Sequence, residues 1–299
     1  MSYQNVGTPR FYINVIEWAN SLGSAFGSGY HTLPVSPFGE WSSGGDYSTI
    51  ESLFSAKNYV AALGHNMATE GSDLYIKDAA GGYIDLSEVV NLYPHKNDGH
   101  DGFTLATMTV APKSIALGVY VDDGTFVDET TYIGSLLLGT YYTMPHAPDL
   151  NLTLTREYSG IKTLETKGGS SLSNDFGSSP PKWGDRSAWQ LGDVDFSVGG
   201  RRIWDLSFSF LSDSSIFPET PTETSSPVGW QDTTTTPDFM SEVLRKCNGG
   251  QLPFIFQPDS GNSDPFSGFA ICKFDQSSFQ FKQVANSVYD VSLKIREVW

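Results

Sequence analysis

Two histidines and two aspartates fall within eight residues at His95-Lys96-Asn97-Asp98-Gly99-His100-Asp101-Gly102. Imidazole nitrogens and carboxylate oxygens at this density suit a divalent metal. The same stretch holds Asn-Asp-Gly and Asp-Gly, the ordinary chemistry of tight turns. The turn reading is favoured, and no metal is expected there. Asp122-Asp123-Gly124 offers further oxygens but lacks the spacing of a calcium loop. A catalytic serine would need a base and an orienting acid within reach, and no G-x-S-x-G elbow is present. Gly27-Ser28-Gly29 reads as a turn. No P-loop, paired-glycine dinucleotide fingerprint or H-E-x-x-H occurs. Carboxylate pairs for glycoside hydrolysis cannot be singled out from 34 acidic residues by spacing alone. The expectation is a protein without catalysis and without a cofactor.

Binding chemistry has more candidates. Sugar-binding surfaces stack aromatic rings on the sugar and hydrogen-bond its hydroxyls through Asp, Asn and His. Trp41, Tyr47, His65, Asn66, Tyr93, His95 and Tyr142 have the right types for host glycans, with Trp41, His65, Asn66, Tyr93 and His95 as the main set. The competing reading is that these rings pack a sandwich or an assembly contact. Aromatic residues and arginine are also the usual anchors of protein interfaces. On that ground Arg201, Arg202, Trp204 and Trp299 are candidate assembly contacts, Trp299 being preceded by Ile295 and Val298.

The elements that must position these residues are β-strands. The chain has 299 residues, 39% hydrophobic, 13% aromatic and only 17% charged. That length suits two domains or one large all-β domain. The composition is far from that of a disordered chain, and abundant Gly with aromatics points to sheets joined by turns. The net charge is −16. Nucleic-acid binding needs clustered Lys and Arg to displace counterions, and none is present. An anionic membrane surface would repel the chain, and its apolar runs are too short to span a bilayer. The opening Met-Ser-Tyr-Gln-Asn has no basic and apolar leader pattern, so no secretory signal is expected. Two cysteines, Cys247 and Cys272, read as reduced, half-buried thiols of a protein made in a cytoplasm, with a single disulfide as the alternative.

The composition shifts near residue 147. Residues 1–147 carry 15 acids, 5 bases and all five histidines; residues 148–299 carry 19 acids, 13 bases and both cysteines. Met144-Pro145-His146-Ala147-Pro148 reads as a connector, since two prolines remove ladder donors. In the first part Asn58–Gly64, Phe103–Val110, Ile115–Val121 and Tyr132–Gly139 read as strands of an antiparallel, jelly-roll-like sandwich. A helix is placed at Tyr47–Phe54. In the second part Leu150, Leu152 and Leu154 alternate with polar residues as a half-buried strand, and Ile203–Phe210 alternates likewise. The segments 168–190 and 218–236 read as long loops that order against a partner. Pro237 and Asp238 open the best helix, on which Phe239, Val243 and Leu244 share a face, and Gly249-Gly250 stops it. Leu252–Gln257, Gly268–Asp275 and Val288–Trp299 read as strands.

The second part resembles the distal and minor tail proteins of long-tailed bacteriophages. Four stretches carry the likeness: Gly199-Gly200-Arg201-Arg202-Ile203-Trp204-Asp205-Leu206-Ser207-Phe208-Ser209-Phe210, the helix Phe239–Cys247, Asn248-Gly249-Gly250-Gln251-Leu252-Pro253-Phe254-Ile255-Phe256-Gln257-Pro258-Asp259, and the closing pair Phe269–Phe274 with Tyr289–Val298. The resemblance covers residues 148–299. It implies a mainly β chain: a split β-sandwich ring domain with one helix, assembled as a homo-oligomeric, six-fold ring at the tail tip of the virion. Such a ring joins tail-tube protein to baseplate hub and receptor-binding proteins. Residues 1–147 would then be the extra sandwich; Asn58–Asn66 with Ile133–Gly139 resembles galactose-binding-like jelly rolls. In the family's common order the ring domain comes first, so the opening segment, residues 8–18, is a candidate to belong to it. Two other classes stay open on the sequence: another virion part, such as tail tube, fibre attachment or capsid decoration, and a carbohydrate-binding module.

Overall fold

A computed structural model describes residues 6–15, 17–18, 41–42, 58–65, 72–77, 83–85, 91–93, 102–108, 116–121, 133–157, 161–175, 201–218, 237–262 and 268–298. The fold is mainly β. Seventeen strands are described: β1 (Arg10–Asn14), β2 (Trp41–Ser42), β3 (Asn58–His65), β4 (Ser72–Lys77), β5 (Tyr83–Asp85), β6 (Asn91–Tyr93), β7 (Gly102–Met108), β8 (Ala116–Val121), β9 (Ile133–Thr143), β10 (Thr153–Glu157), β11 (Ile161–Glu165), β12 (Ser171–Asp175), β13 (Arg201–Ser212), β14 (Phe254–Gln257), β15 (Ala270–Phe274), β16 (Phe281–Ala285) and β17 (Val288–Glu297). They form one 11-stranded sheet in the order β10-β13-β17-β15-β14-β1-β9-β3-β7-β6, with β16 added beside β17. A 4-stranded sheet, β2-β8-β4-β5, and the β11–β12 hairpin stand outside it. The described pairings are antiparallel.

Strand β1 sits at the centre because its sequence leaves it no exposed side. Arg-Phe-Tyr-Ile-Asn puts Phe11 and Ile13 on one face and Tyr12 on the other, and all three are buried. Strands covered on both faces read as near-continuous apolar runs; β14, Phe-Ile-Phe-Gln, is of the same kind. β1 pairs Arg10–Ile13 with Phe254–Gln257 of β14 on one edge and Arg10–Asn14 with Gly139–Thr143 of β9 on the other. The large sheet therefore joins strands from both sides of the proline-containing connector after β9, and so from both compositional halves. The opening segment contributes to the core of the second half.

That core is aromatic. The Phe11 ring lies 5.8 Å from Phe239, 5.5 Å from Phe254, 5.3 Å from Phe256 and 6.0 Å from Phe274, within the range of edge and offset ring contacts. Trp204, Leu206 and Phe208 of β13 and Val291, Leu293 and Ile295 of β17 complete it by strict alternation. The opposite face of the sheet buries Tyr12, Tyr59, Ala61, Leu63, Leu105, Leu137, Ile255, Phe269 and Ile271.

The expected helix forms at Met240–Arg245, wound in π form, with Phe239, Val243 and Leu244 buried as anticipated. Asp238 caps it: its Oδ1 accepts the Ser241 N–H at 2.8 Å. The helix carries a buried ion pair, Lys246 Nζ to Glu242 Oε2 at 2.9 Å, and Thr140 of β9 donates its hydroxyl to the same oxygen.

Two expectations about elements need correction. Leu150 does not enter a strand: the Leu152 N–H bonds the Asp149 carbonyl in a turn, β10 begins at Thr153, and Leu150 is fully exposed. Gly168-Gly169-Ser170 is not open loop. It is the turn of the β11–β12 hairpin, with Gly169 at φ +82° and the Thr166 N–H bonded to the Ser170 carbonyl. The helix placed at Tyr47–Phe54 and the Asp122-Asp123-Gly124 turn lie outside the described residues.

Candidate functional site

The chemistry-bearing residues of the second half gather on β10, β13 and β17. At the start of β13, Arg202 grips Glu297 of β17 with both ends of its guanidinium: Nε to Oε2 at 3.1 Å and Nη2 to Oε1 at 2.9 Å. Its backbone N–H donates to the same Oε2 at 2.9 Å, and Nη2 also reaches the Phe269 carbonyl at 2.8 Å. Burial disfavours the charge on Arg202, but the Glu297 carboxylate outweighs it and holds the guanidinium above its ordinary pKa. Such planar, two-point pairing is specific to arginine. The guanidinium also lies over the Trp204 ring at 5.1 Å.

Trp204 itself is buried and meets Phe256 edge-on at 5.2 Å. Arg202 and Trp204 were expected as assembly contacts; the structure instead spends both inside the chain, one as a strap across β13 and β17 and one as core. Arg201 opens β13 opposite Glu157 of the outermost strand β10. Trp299 lies outside the described residues.

Further along β13 the ladder breaks. Phe208 pairs with Val291 and Leu211 with Tyr289, so Ser209 and Phe210 together oppose Asp290. This is a β-bulge, and it carries Phe210 at φ +62°, a conformation that glycine usually supplies. The Asp290 carboxylate accepts the Phe210 N–H at 3.1 Å and holds the bulge in place. The Phe210 ring is 77% exposed. Beside it, Ser209 donates to Asp149 Oδ2 at 2.7 Å and the Asp149 N–H bonds the Ser207 carbonyl at 2.8 Å. Leu150, the next residue, projects fully into solvent. The chain neighbours of this hydrogen-bonded Asp–Ser pair, Leu150 and Phe210, are thus both exposed large apolar residues. Sequence reasoning missed this patch. A bulge set by a carboxylate 80 residues away leaves no local mark in an alternating strand.

The β11–β12 hairpin follows β10 in the chain. It pairs with no third strand among the described residues, and residues 164–171 are all exposed, Leu164 at 65%. Leu164 stands opposite Leu172 in the hairpin register.

The candidate sugar-binding residues are distributed as follows. Trp41 is in β2, opposite Leu117 of the small sheet. His65 ends β3, opposite Gly102 and Ile133, and Tyr93 ends β6, opposite Leu105. His65 and Tyr93 therefore lie on one sheet with β7 between their strands, and Trp41 lies on another. Asn66, His95 and Tyr47 lie outside the described residues. Tyr142 is not a surface ring. It is buried against Phe239, and its hydroxyl donates to the Ser215 carbonyl at 3.0 Å. Burial and the nearby Asp238 and Glu242 carboxylates push its pKa up, so it stays a neutral donor.

Several further titratable groups are internal. The Tyr12 hydroxyl donates to Gln257 Oε1 at 2.8 Å, and Gln257 in turn donates to the Asn262 carbonyl, tying β1 to β14 and the loop beyond it. Tyr59 packs edge-on against Tyr12 at 5.1 Å, and its buried hydroxyl has no hydrogen-bond partner among the described residues. Burial, more than any neighbour, raises the thiols of Cys247 and Cys272, which keeps both protonated and unreactive at neutral pH. Burial also raises the Glu17 carboxyl, with Lys273 opposing it in part. Among the described residues no group of three or more His, Cys, Asp or Glu side chains is placed to hold a metal ion, and no helix is long and apolar enough to cross a membrane. Comparison with protein-family models, curated proteins and solved structures returns no match for this chain.

Proposed function

We propose that this chain is a structural subunit of a phage tail, forming a homo-oligomeric ring at the tail tip that joins the tail tube to the baseplate hub and its receptor-binding proteins. The observation that carries the reading is the organisation of the second half. Arg201–Ser212, Phe254–Gln257, Ala270–Phe274 and Val288–Glu297 are strands of one sheet, with the helix at Met240–Arg245 packed on it through Phe239 and Val243 and only a one-turn helix at Asp213–Ile216 and a 3-10 turn at Asn248–Gly250 besides, among the described residues. These are the stretches in which the sequence resembles distal tail proteins, and a sheet-plus-one-helix body is what that resemblance implies. The buried ionisable pairs Arg202–Glu297 and Lys246–Glu242 are internal ties, which suits a part that bears load.

The test is the mass and shape of the purified full chain at micromolar concentration, by light scattering with negative-stain images. Closed rings, alone or on addition of a tail-tube protein, support the proposal. A particle that stays a single chain beside tail-tube and hub proteins overturns it.

A further inference from the structure

We infer that the β11–β12 hairpin of one copy docks on the Leu150–Phe210 patch of a second copy, with Leu164 against the two apolar side chains and Lys167 facing the acidic border of the patch. The inference rests on the homo-oligomeric reading above and adds the surfaces that meet.

Both surfaces are incomplete among the described residues. An isolated two-stranded hairpin is marginal in water. This one presents Leu164 to solvent with no third strand to support it among the described residues. On the other side, Leu150 and Phe210 are the two most exposed large apolar side chains described. Phe210 is also held in a left-handed backbone conformation that costs a bulky residue of order 1–3 kcal/mol. Strain that turns an aromatic ring out into water brings the lone subunit nothing; it makes sense if the ring is covered in an assembly.

Charge complements the apolar contact. Asp149 adjoins Leu150, Asp290 holds the Phe210 N–H, and Asp213 follows three residues after Phe210, against one base, Lys282, opposite Asp290 in register. The hairpin turn carries the exposed Lys167 at its tip, with Glu165 back on the strand.

The placement of the two surfaces along the chain suits a contact between copies. The patch lies where the chain enters β10, beside Ser207 and Ser209. The hairpin is rooted beyond Glu157, at the other end of that strand, opposite Arg201. Five strand residues separate the two by about 17 Å. A knob at one end and a socket at the other on the same chain make a head-to-tail contact, which closes into a ring when the rotation permits.

The experiment uses the full chain in two cysteine variants, Leu164→Cys and Phe210→Cys, mixed and mildly oxidised. Cys247 and Cys272 are fully buried and do not compete. A two-chain adduct joining one variant to the other is expected from the mixture. Phe210→Gly, which suits the local φ and so preserves folding, is expected to weaken self-association at least about tenfold in sedimentation velocity while its thermal midpoint holds or rises. Leu164→Asp is expected to weaken it similarly. Wild-type rings with no adduct, or with Phe210→Gly assembling as wild type, overturn this contact and leave the ring reading standing. A wild type that remains a single chain at every concentration overturns both.

Discussion

Three side chains show how far single residues set the behaviour of this protein. The Tyr59 hydroxyl is buried without a partner among the described residues, while its ring packs on Tyr12. A buried polar group left unpaired costs about 1–3 kcal/mol. Tyr59→Phe is therefore expected to leave stability unchanged or raise it by up to about 1 kcal/mol in denaturant titration. The contrasting change is Tyr12→Phe, which strands the acceptor of Gln257 and is expected to cost about 1–2 kcal/mol. Equal losses from both changes would contradict the reading. Glu17 gives a pH-dependent case. Burial raises its carboxyl in the folded state, so the native chain holds this proton more tightly than the unfolded chain. Its contribution to stability is then complete below the ordinary glutamate value of about 4.3 and is lost as the pH rises through the raised native value. Glu17→Gln is neutral throughout. It is expected to match the wild type near pH 3 and to be more stable than it at pH 7, by thermal melts across that range. A variant less stable than wild type at pH 7 would argue that the charged form is the one the fold favours.

At the scale of elements, closeness of backbones decides. A Cβ added at Gly139 of β9 would sit 1.8 Å from the Ile13 carbonyl of β1. Gly139→Ala must push apart the two central strands, and about 2–3 kcal/mol of destabilisation is expected, read as a lower denaturant midpoint. Gly168→Ala, with its nearest neighbour at 3.9 Å and no unusual φ, serves as the tolerant control. The same elements show what the sequence could and could not reveal. The alternation of Trp204, Leu206 and Phe208 is readable because one face of β13 meets the core and period two follows. The helix is readable from Pro237, Asp238 and the Phe239–Val243–Leu244 face. The bulge at Phe210 is hidden, since Asp290 imposes it through space. Leu150 misleads for a related reason: it continues the period of Leu152 and Leu154, but Asp149 is drawn into the turn by Ser207 and Ser209. The β11–β12 hairpin escapes notice because its apolar residues, Ile161, Leu164 and Leu172, are scattered among polar ones without a period of two. The candidate surface is made of these hidden features, whereas the residues whose types suggested an interface, Arg202 and Trp204, are consumed by the fold.

At the scale of the molecule, β17 is the strand on which the second half depends. It pairs with β13 along nearly its whole length, with β15 through Ile295–Glu297 and with β16 through Val288–Val291. Removing residues 288–299 is expected to abolish folding and assembly together, seen as loss of soluble protein and of a cooperative melt. A soluble, oligomeric truncation would refute this. The central place of β1 has a consequence in time. Tyr12 and its partner Gln257 are 245 residues apart. At the usual ribosomal pace of about 5–20 residues per second, on the order of 10–50 s pass between their synthesis. Throughout that interval Phe-Tyr-Ile has only β9, from roughly midway, to lie against, and its other edge stays open to any strand it meets. The growing chain is thus expected to need that edge shielded, and neighbouring ribosomes on one message bring identical open edges together. Slowing translation ahead of residue 254 should therefore increase aggregation of this protein, whereas the finished and folded chain has that edge closed by β14 and should no longer pair through it with its own copies.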